Sequence, residues 1–179
     1  MNTDGGIVEK IVALHGALDS ARLAHAFGGA LALAWCTEQA RGTIDIDVNV
    51  FVDQALAGSV FDALPSGVVR SAADLERCIR DGQVRLWWGS TPIDVFTNTT
   101  EFHLAAADRV VVHEFASHDM PFLCCSDVAV FKAFFNRTKD WADLEAMAAV
   151  RTLDRELVLG ALVHYLGADD ERVERFTSL

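Results

Sequence analysis

Ten residues from Thr43 to Val52, TIDIDVNVFV, alternate polar and apolar side chains with a period of two. That period predicts a β-strand over 43–52 with one covered face. Ile44, Ile46, Val48, Val50 and Val52 are set toward a core, and Asp45, Asp47 and Asn49 toward the other face. Alternate residues of a strand lie about 6.5–7 Å apart, so the two carboxylates are neighbours. Carboxylates that close repel, and at neutral pH they require a cation or a shifted protonation. Oxygen donors suit Mg2+ or Mn2+.

The residues just upstream add a second device. Gly28-Gly29 allow a tight turn and a close approach of backbone to ligand. Ala30 to Trp35 contains no Gly, Pro or charge, which predicts a helix over 30–40 that begins directly after the glycines. The N-terminus of such a helix presents unpaired N–H groups and the positive end of its dipole, a seat for a phosphate. A phosphate cradle beside paired metal-binding carboxylates is equipment for phosphoryl or nucleotidyl transfer.

Composition narrows the class. The 179 residues are 51% hydrophobic with three prolines, which predicts a folded domain rather than a disordered chain. Residues 1–20 lack a basic stretch followed by an apolar one, and no run of 18 apolar residues occurs, so neither a signal peptide nor a membrane span is expected. Four cysteines, Cys36, Cys78, Cys124 and Cys125, show no paired C-x-x-C spacing and read as reduced thiols of a cytoplasmic protein. A net charge of −11 without a Lys/Arg run opposes binding to duplex DNA.

Along the chain, apolar spacing predicts a helix over 6–19, a short strand from Leu23 to Phe27, and a helix from Ala55 to Leu64 closed by Pro65-Ser66-Gly67. In that third element Leu56, Val60, Phe61 and Leu64 share the apolar face. Ser71 starts a capped helix that stops at Asp81-Gly82. Val84–Trp88 and Pro92–Phe96 are two strands joined at Gly89-Ser90-Thr91, and Asp94 is an acid on an otherwise apolar strand. Burying such a charge costs several kcal/mol unless it is paired. Thr100–Ala107 reads as a helix. Val110–Phe115 and Phe122–Cys125 read as strands with His118-Asp119 in the turn between them, and His113 and His118 as ordinary turn or strand residues. From Ser126, taken as an N-cap, the texture is helical: Val128, Phe131 and Phe135 form a stripe, followed by helices over 141–150, 153–166 and 169–177. Lys132 sits at the edge of that stripe, where it either snorkels to water or reaches into a cleft. Asp140 is either the N-cap of the helix over 141–150 or a group near the ligand. The whole is an α/β (α+β) chain: a mixed twisted sheet flanked by helices, with a core over 1–125 and a C-terminal helical segment over 126–179.

The combination of Gly28-Gly29, a short helix, and Arg41-x-Thr43-x-Asp45-x-Asp47 resembles the DNA polymerase beta-type nucleotidyltransferase superfamily. Within it, Lys132 followed by Arg137-Thr138-Lys139-Asp140 and Asp143-Leu144 is similar to the segment that follows the core in AbiEii-type toxins and related small nucleotidyltransferases. The resemblance implies transfer of a nucleoside monophosphate from a nucleoside triphosphate to an acceptor hydroxyl of RNA, protein or a small molecule. It implies Mg2+ or Mn2+ held by Asp45, Asp47 and a third carboxylate on the adjacent strand, for which Asp94 is the candidate. Gly28, Gly29, Arg41, Thr43, Lys132 and Asp140 are then nucleotide-binding, and an antitoxin protein is an expected partner of a toxin-type member. The superfamily commonly carries Gly-Ser where this chain has Gly28-Gly29, which leaves the phosphate contact of that hydroxyl missing. Two other readings stay open: a nucleotide- or partner-binding protein of the same fold without turnover, and an antibiotic-modifying nucleotidyltransferase.

Overall fold

The structure, a computed structural model, describes residues 5–40 and 42–179. Arg41 lies outside the described residues. The chain runs α1 (Ile7–Ser20), β1 (His25–Phe27), α2 (Gly29–Thr37), β2 (Ile46–Asp53), α3 (Ala57–Ala63), β3 (Val68–Val69), α4 (Ala72–Asp81), β4 (Gln83–Trp88) and β5 (Thr91–Asn98). It continues with α5 (Glu101–Ala106), β6 (Val111–Phe115), β7 (His118–Phe122), α6 (Cys125–Phe135), α7 (Thr138–Val150), α8 (Arg155–Leu166) and α9 (Glu171–Thr177). Among the described residues seven strands form one mixed sheet in the order β3-β4-β5-β2-β1-β7-β6. The β2–β5 and β1–β7 pairs are parallel and the others antiparallel. The expected mixed sheet flanked by helices is therefore the architecture found.

Strand β2 lies in the middle, and its apolar residues Ile46, Val48 and Val50 are buried with Ile93 and Val95 of β5 and Val84 and Leu86 of β4. These positions alternate with Asp47 on β2 and with Asp94 and Phe96 on β5, which are only partly covered. One face of the central strands is thus core and the other is the floor of a cleft. Helix α2 packs against α6 and α7, and α6 against α8 and α9. This helical layer closes over Trp141, Leu144, Met147 and Leu162, all fully buried.

The local signals that hold are the short-range ones. Ser71 accepts a hydrogen bond from the Asp74 amide while the Asp74 carboxylate accepts one from the Ser71 amide, a reciprocal cap at the start of α4. Gly82 ends that helix in the left-handed region, at φ +69°.

Several expectations are corrected. Strand β2 begins at Ile46, and Ile44, expected in the core, is 82% exposed. The Thr43 hydroxyl lies 2.8 Å from the Asp45 carbonyl and 2.9 Å from its carboxylate, so this segment bends on itself instead of joining the ladder. A 3-10 turn, Gln54–Leu56, precedes α3 and leaves Leu56 exposed. His118 and Asp119 belong to β7, because the hairpin turns at Ala116-Ser117, both with positive φ, 51° and 63°. Cys125 opens α6 rather than ending a strand, and Cys124 is its N-cap. Ser126 lies inside the first turn, where its hydroxyl accepts from the Asp154 amide. Phe135, placed on the apolar stripe by its spacing, is 48% exposed.

The cysteines are corrected as well. Cys36 of α2 and Cys125 of α6 form a disulfide; only Cys78 and Cys124 are free thiols. The thiol argument for a reducing compartment fails for that pair. Burial pushes the Cys124 thiol up to about 11, so it stays protonated, donating to Asp127 at 3.2 Å. Among the described residues no helix is long and apolar enough to cross a membrane.

The disulfide closes a loop of 89 residues between the two helices that flank the cleft. Loop-closure entropy puts its contribution at about 4–5 kcal/mol as an upper figure. We expect the Cys36→Ala/Cys125→Ala double variant to lose roughly 2–4 kcal/mol in denaturant unfolding. Wild-type protein in reductant should move to the same midpoint, and coincident midpoints with and without reductant would contradict the pairing.

Candidate active site

Parallel pairing of β2 with β5 sets Asp47 directly beside Asp94, in a register that also matches Ile46 with Ile93 and Val48 with Val95. Antiparallel pairing of β5 with β4 sets Arg85 opposite Asp94. Arg85, Asp94 and Asp47 therefore form one row across three neighbouring strands. Their side chains line a cleft of about 570 Å3 together with Asp45, Gly29 and Lys132.

The acids are not alike. Asp94 is forked by Arg85, whose Nε donates to Oδ1 at 2.7 Å and Nη2 to Oδ2 at 2.5 Å. The same Nη2 lies 3.8 Å from Asp45 Oδ2. Among the described residues no guanidinium forks Asp47. Burial pushes its carboxyl up to about 6, the charges of Asp45 and Asp94 push the same way, and Arg85 and Lys132 only partly offset them. Among the described residues the patch is short of positive charge at its centre.

The glycine bend is built against that centre. The Gly28 amide donates to the Asp47 carbonyl at 2.9 Å, which ties the bend to β2. Gly29 sits in the left-handed region at φ +51°, and a Cβ there would overlap the Asp47 carboxylate. Any side chain at 29, a serine included, meets both a strained backbone and that carboxylate. Helix α2 starts here and aims its N-terminus at the acids.

The opposite wall comes from α6 and α7. Lys132 Nζ donates to Asp143 Oδ2 at 2.7 Å and lies 3.6 Å from Asp140 Oδ1. Asp140 is the third residue of α7 rather than the N-cap expected for a helix over 141–150. It is fully buried, and its carboxylate accepts from the Arg137 backbone amide and from both arms of the Arg137 side chain. Burial alone would raise its carboxyl, but these bonds outweigh burial and hold it below the ordinary range.

Asp45, Asp47, Asp94 and Gly29 thus line one cleft with Lys132 and Asp140, and Gly28 ties the bend to Asp47. Thr43 is engaged with Asp45, on which its hydroxyl is spent. His113 stacks on Trp35 with ring centroids 4.3 Å apart, and the Nδ1 of His118 lies 2.8 Å from the Ala116 carbonyl, so both are occupied away from the cleft. Sequence reasoning missed Arg85. Its signal was the hairpin: strands joined at Gly89-Ser90-Thr91 bring 85 opposite 94.

Among the described residues no three of His, Cys, Asp or Glu converge as a ready-made metal site. The donor chemistry nevertheless fits Mg2+ or Mn2+: three carboxylates lining one cleft, one of them pushed up by burial and then by the other two, and a guanidinium beside them.

The whole fold has solved counterparts. The solution structure of the antibiotic-resistance factor ANT(2'')-Ia superposes with a TM-score of 0.61 at 12% identity, over 88% of this chain and 90% of that one. The crystal structure of ANT(2'')-Ia in complex with adenylyl-2''-tobramycin gives 0.61 at 14% identity, over 88% and 98%. The fold is that of nucleotidyltransferases. An antigenic nucleotidyltransferase-like protein from Paracoccidioides brasiliensis agrees at 0.52 and 14% identity, over 95% and 92%. No protein-family model and no curated protein matches the sequence.

Asp47 supplies a test of the electrostatics. Its folded pKa, about 6, lies above the ordinary 3.8. Its ionised form therefore costs stability, a cost that grows as pH rises from about 4 to 6 and is full above that. Asp47→Asn should stabilise the metal-free protein by about 1–3 kcal/mol at pH 7.5. The gain should fade as pH falls toward 4, as followed by thermal unfolding in chelator.

Proposed function

We propose that the protein transfers a nucleoside monophosphate from a nucleoside triphosphate to an acceptor hydroxyl. The single observation that carries this reading is the register of β2 with β5, which sets Asp47 beside Asp94 under the glycine bend. The nucleotidyltransferase fold supports it.

In this reading the acceptor oxygen attacks the α-phosphorus, the bond from phosphorus to the β-bridging oxygen breaks, and pyrophosphate leaves. Asp94 takes the proton released by the acceptor hydroxyl, at its Oδ atoms, once Arg85 has yielded one of them. The amides at the start of α2 hold phosphate oxygens without a side chain in the way. Lys132, kept upright by Asp143, offsets phosphate charge across the cleft. Asp45, Asp47 and Asp94 would hold a divalent cation, which when bound neutralises charge on the triphosphate and at the attacking and leaving oxygens.

The acceptor reading we favour is a small molecule bearing positive charge, of the kind modified in antibiotic resistance. Among the described residues the cleft lining carries six aspartates against four Lys/Arg residues, and the net charge is −11. An RNA acceptor would meet like charge over most of that surface. The structural neighbour solved with adenylyl-2''-tobramycin makes the same class the first to screen.

The experiment is incubation of the protein with α-labelled nucleoside triphosphates, Mg2+ or Mn2+, and three acceptor panels: aminoglycosides and lincosamides, tRNA, and protein. We expect label on a small molecule, and loss of transfer by at least about 100-fold in Asp45→Ala and Asp47→Ala. Label on tRNA or protein would redirect the acceptor to the toxin-type role. Nucleotide binding without transfer to any panel would favour a binding protein of the same fold.

A further inference from the structure

Resting on the nucleotidyl-transfer reading, we propose that Arg85 is a resident counter-cation that a divalent metal must displace from Asp94 and Asp45. The row Arg85–Asp94–Asp47 is fixed by two strand registers, so the guanidinium is delivered to the acids by backbone pairing. Its fork takes both oxygens of Asp94, and its Nη2 reaches toward Asp45. These are the lone pairs that an oxygen-liganded Mg2+ or Mn2+ requires. A guanidinium stays charged at any pH a protein survives, so it cannot vacate the acids by losing a proton. It has to swing away.

The packing permits that movement. The Arg85 side chain is 52% exposed, whereas that of Asp94 is 16% exposed. On the solvent side of β4, Arg85 can re-enter water without moving a core residue, since its strand neighbours Val84 and Leu86 carry the packing. The guanidinium thus lets three carboxylates assemble before any metal arrives, through an ion pair whose cationic side stands in solvent. The consequence is antagonism: metal and Arg85 compete for the same carboxylates. Arg85 is a positioning residue, acting through Asp94 and Asp45.

The test is Mn2+ binding to the full chain, read from the electron paramagnetic resonance signal of free Mn2+, with no nucleotide and no turnover. Wild type, Arg85→Gln and Arg85→Lys are compared, each checked for folding by circular dichroism. We expect Arg85→Gln to bind Mn2+ roughly five- to tenfold more tightly than wild type. Its metal-free melting temperature should fall, because the acids lose their counter-charge. Arg85→Lys, which keeps the charge without the fork, should lie between the two and serves as the comparison if the Gln variant misfolds. Equal or weaker Mn2+ binding in a folded variant overturns the proposal while leaving the nucleotidyl-transfer reading in place, provided that wild type binds. Absence of Mn2+ uptake by wild type and both variants overturns that reading and the role of Arg85 with it.

Discussion

Parallel pairing of β2 with β5 is the constraint on which the rest depends. Ile46, Val48, Ile93 and Val95 are fully buried, and because side chains alternate along a strand, burying them forces Asp47 and Asp94 onto the opposite face. A slip of β2 by one residue against β5 would turn Asp47 toward the core and Ile46 and Val48 toward the cleft. The apolar face thus supplies the free energy that holds two like charges on adjacent strands. The acids themselves contribute the reverse: Asp47 is pushed up by burial and by its neighbours. A patch organised for chemistry is here held against its own repulsion by the hydrophobic layer beneath it.

The glycine bend answers to the same constraint. With the Gly28 amide bonded to the Asp47 carbonyl and Gly29 against the Asp47 carboxylate, α2 starts as close to the acids as backbone can come. The opposite wall is then held in place covalently, since the disulfide joins α2 to α6, which carries Lys132. Lys132 and Asp143 add a bond between α6 and α7, and Arg137 locks Asp140 at the start of α7. Floor, bend and wall are separate in sequence but mechanically one body.

What was legible in the sequence follows the range of the interaction concerned. The helix from Ser71 to Gly82 was readable because both caps are local chemistry. The acidic face of β2 was readable because period two is local, and Asp94 stood out as a charge on an apolar strand. The start of β2 was misread because the Thr43 hydroxyl competes for the backbone, an effect that alternation does not register. The β6–β7 turn was missed because Ala116-Ser117 adopts positive φ without Gly or Asn to signal it. Arg85 needed the register of a hairpin, one step beyond composition. The disulfide was out of reach, because no spacing rule links Cys36 to Cys125 across the interior of the fold.

Three cations of the cleft are already committed to acids of the protein. Arg85 is taken up by Asp94, Lys132 by Asp143, and Arg137 by Asp140. Each of these three cations is held by an acid of the protein, so among the described lining residues most of the positive charge facing a polyphosphate is already paired, Lys139 excepted. A triphosphate entering alone would meet surplus carboxylate, at short range and in partly desolvated surroundings where repulsion is strong. The same surface is favourable to any species that arrives with its phosphates already neutralised, and to a positively charged molecule. Selectivity of this kind needs no dedicated contact to each ligand. It follows from placing more aspartates than cations among the described residues around the cleft and letting the sheet beneath keep them there.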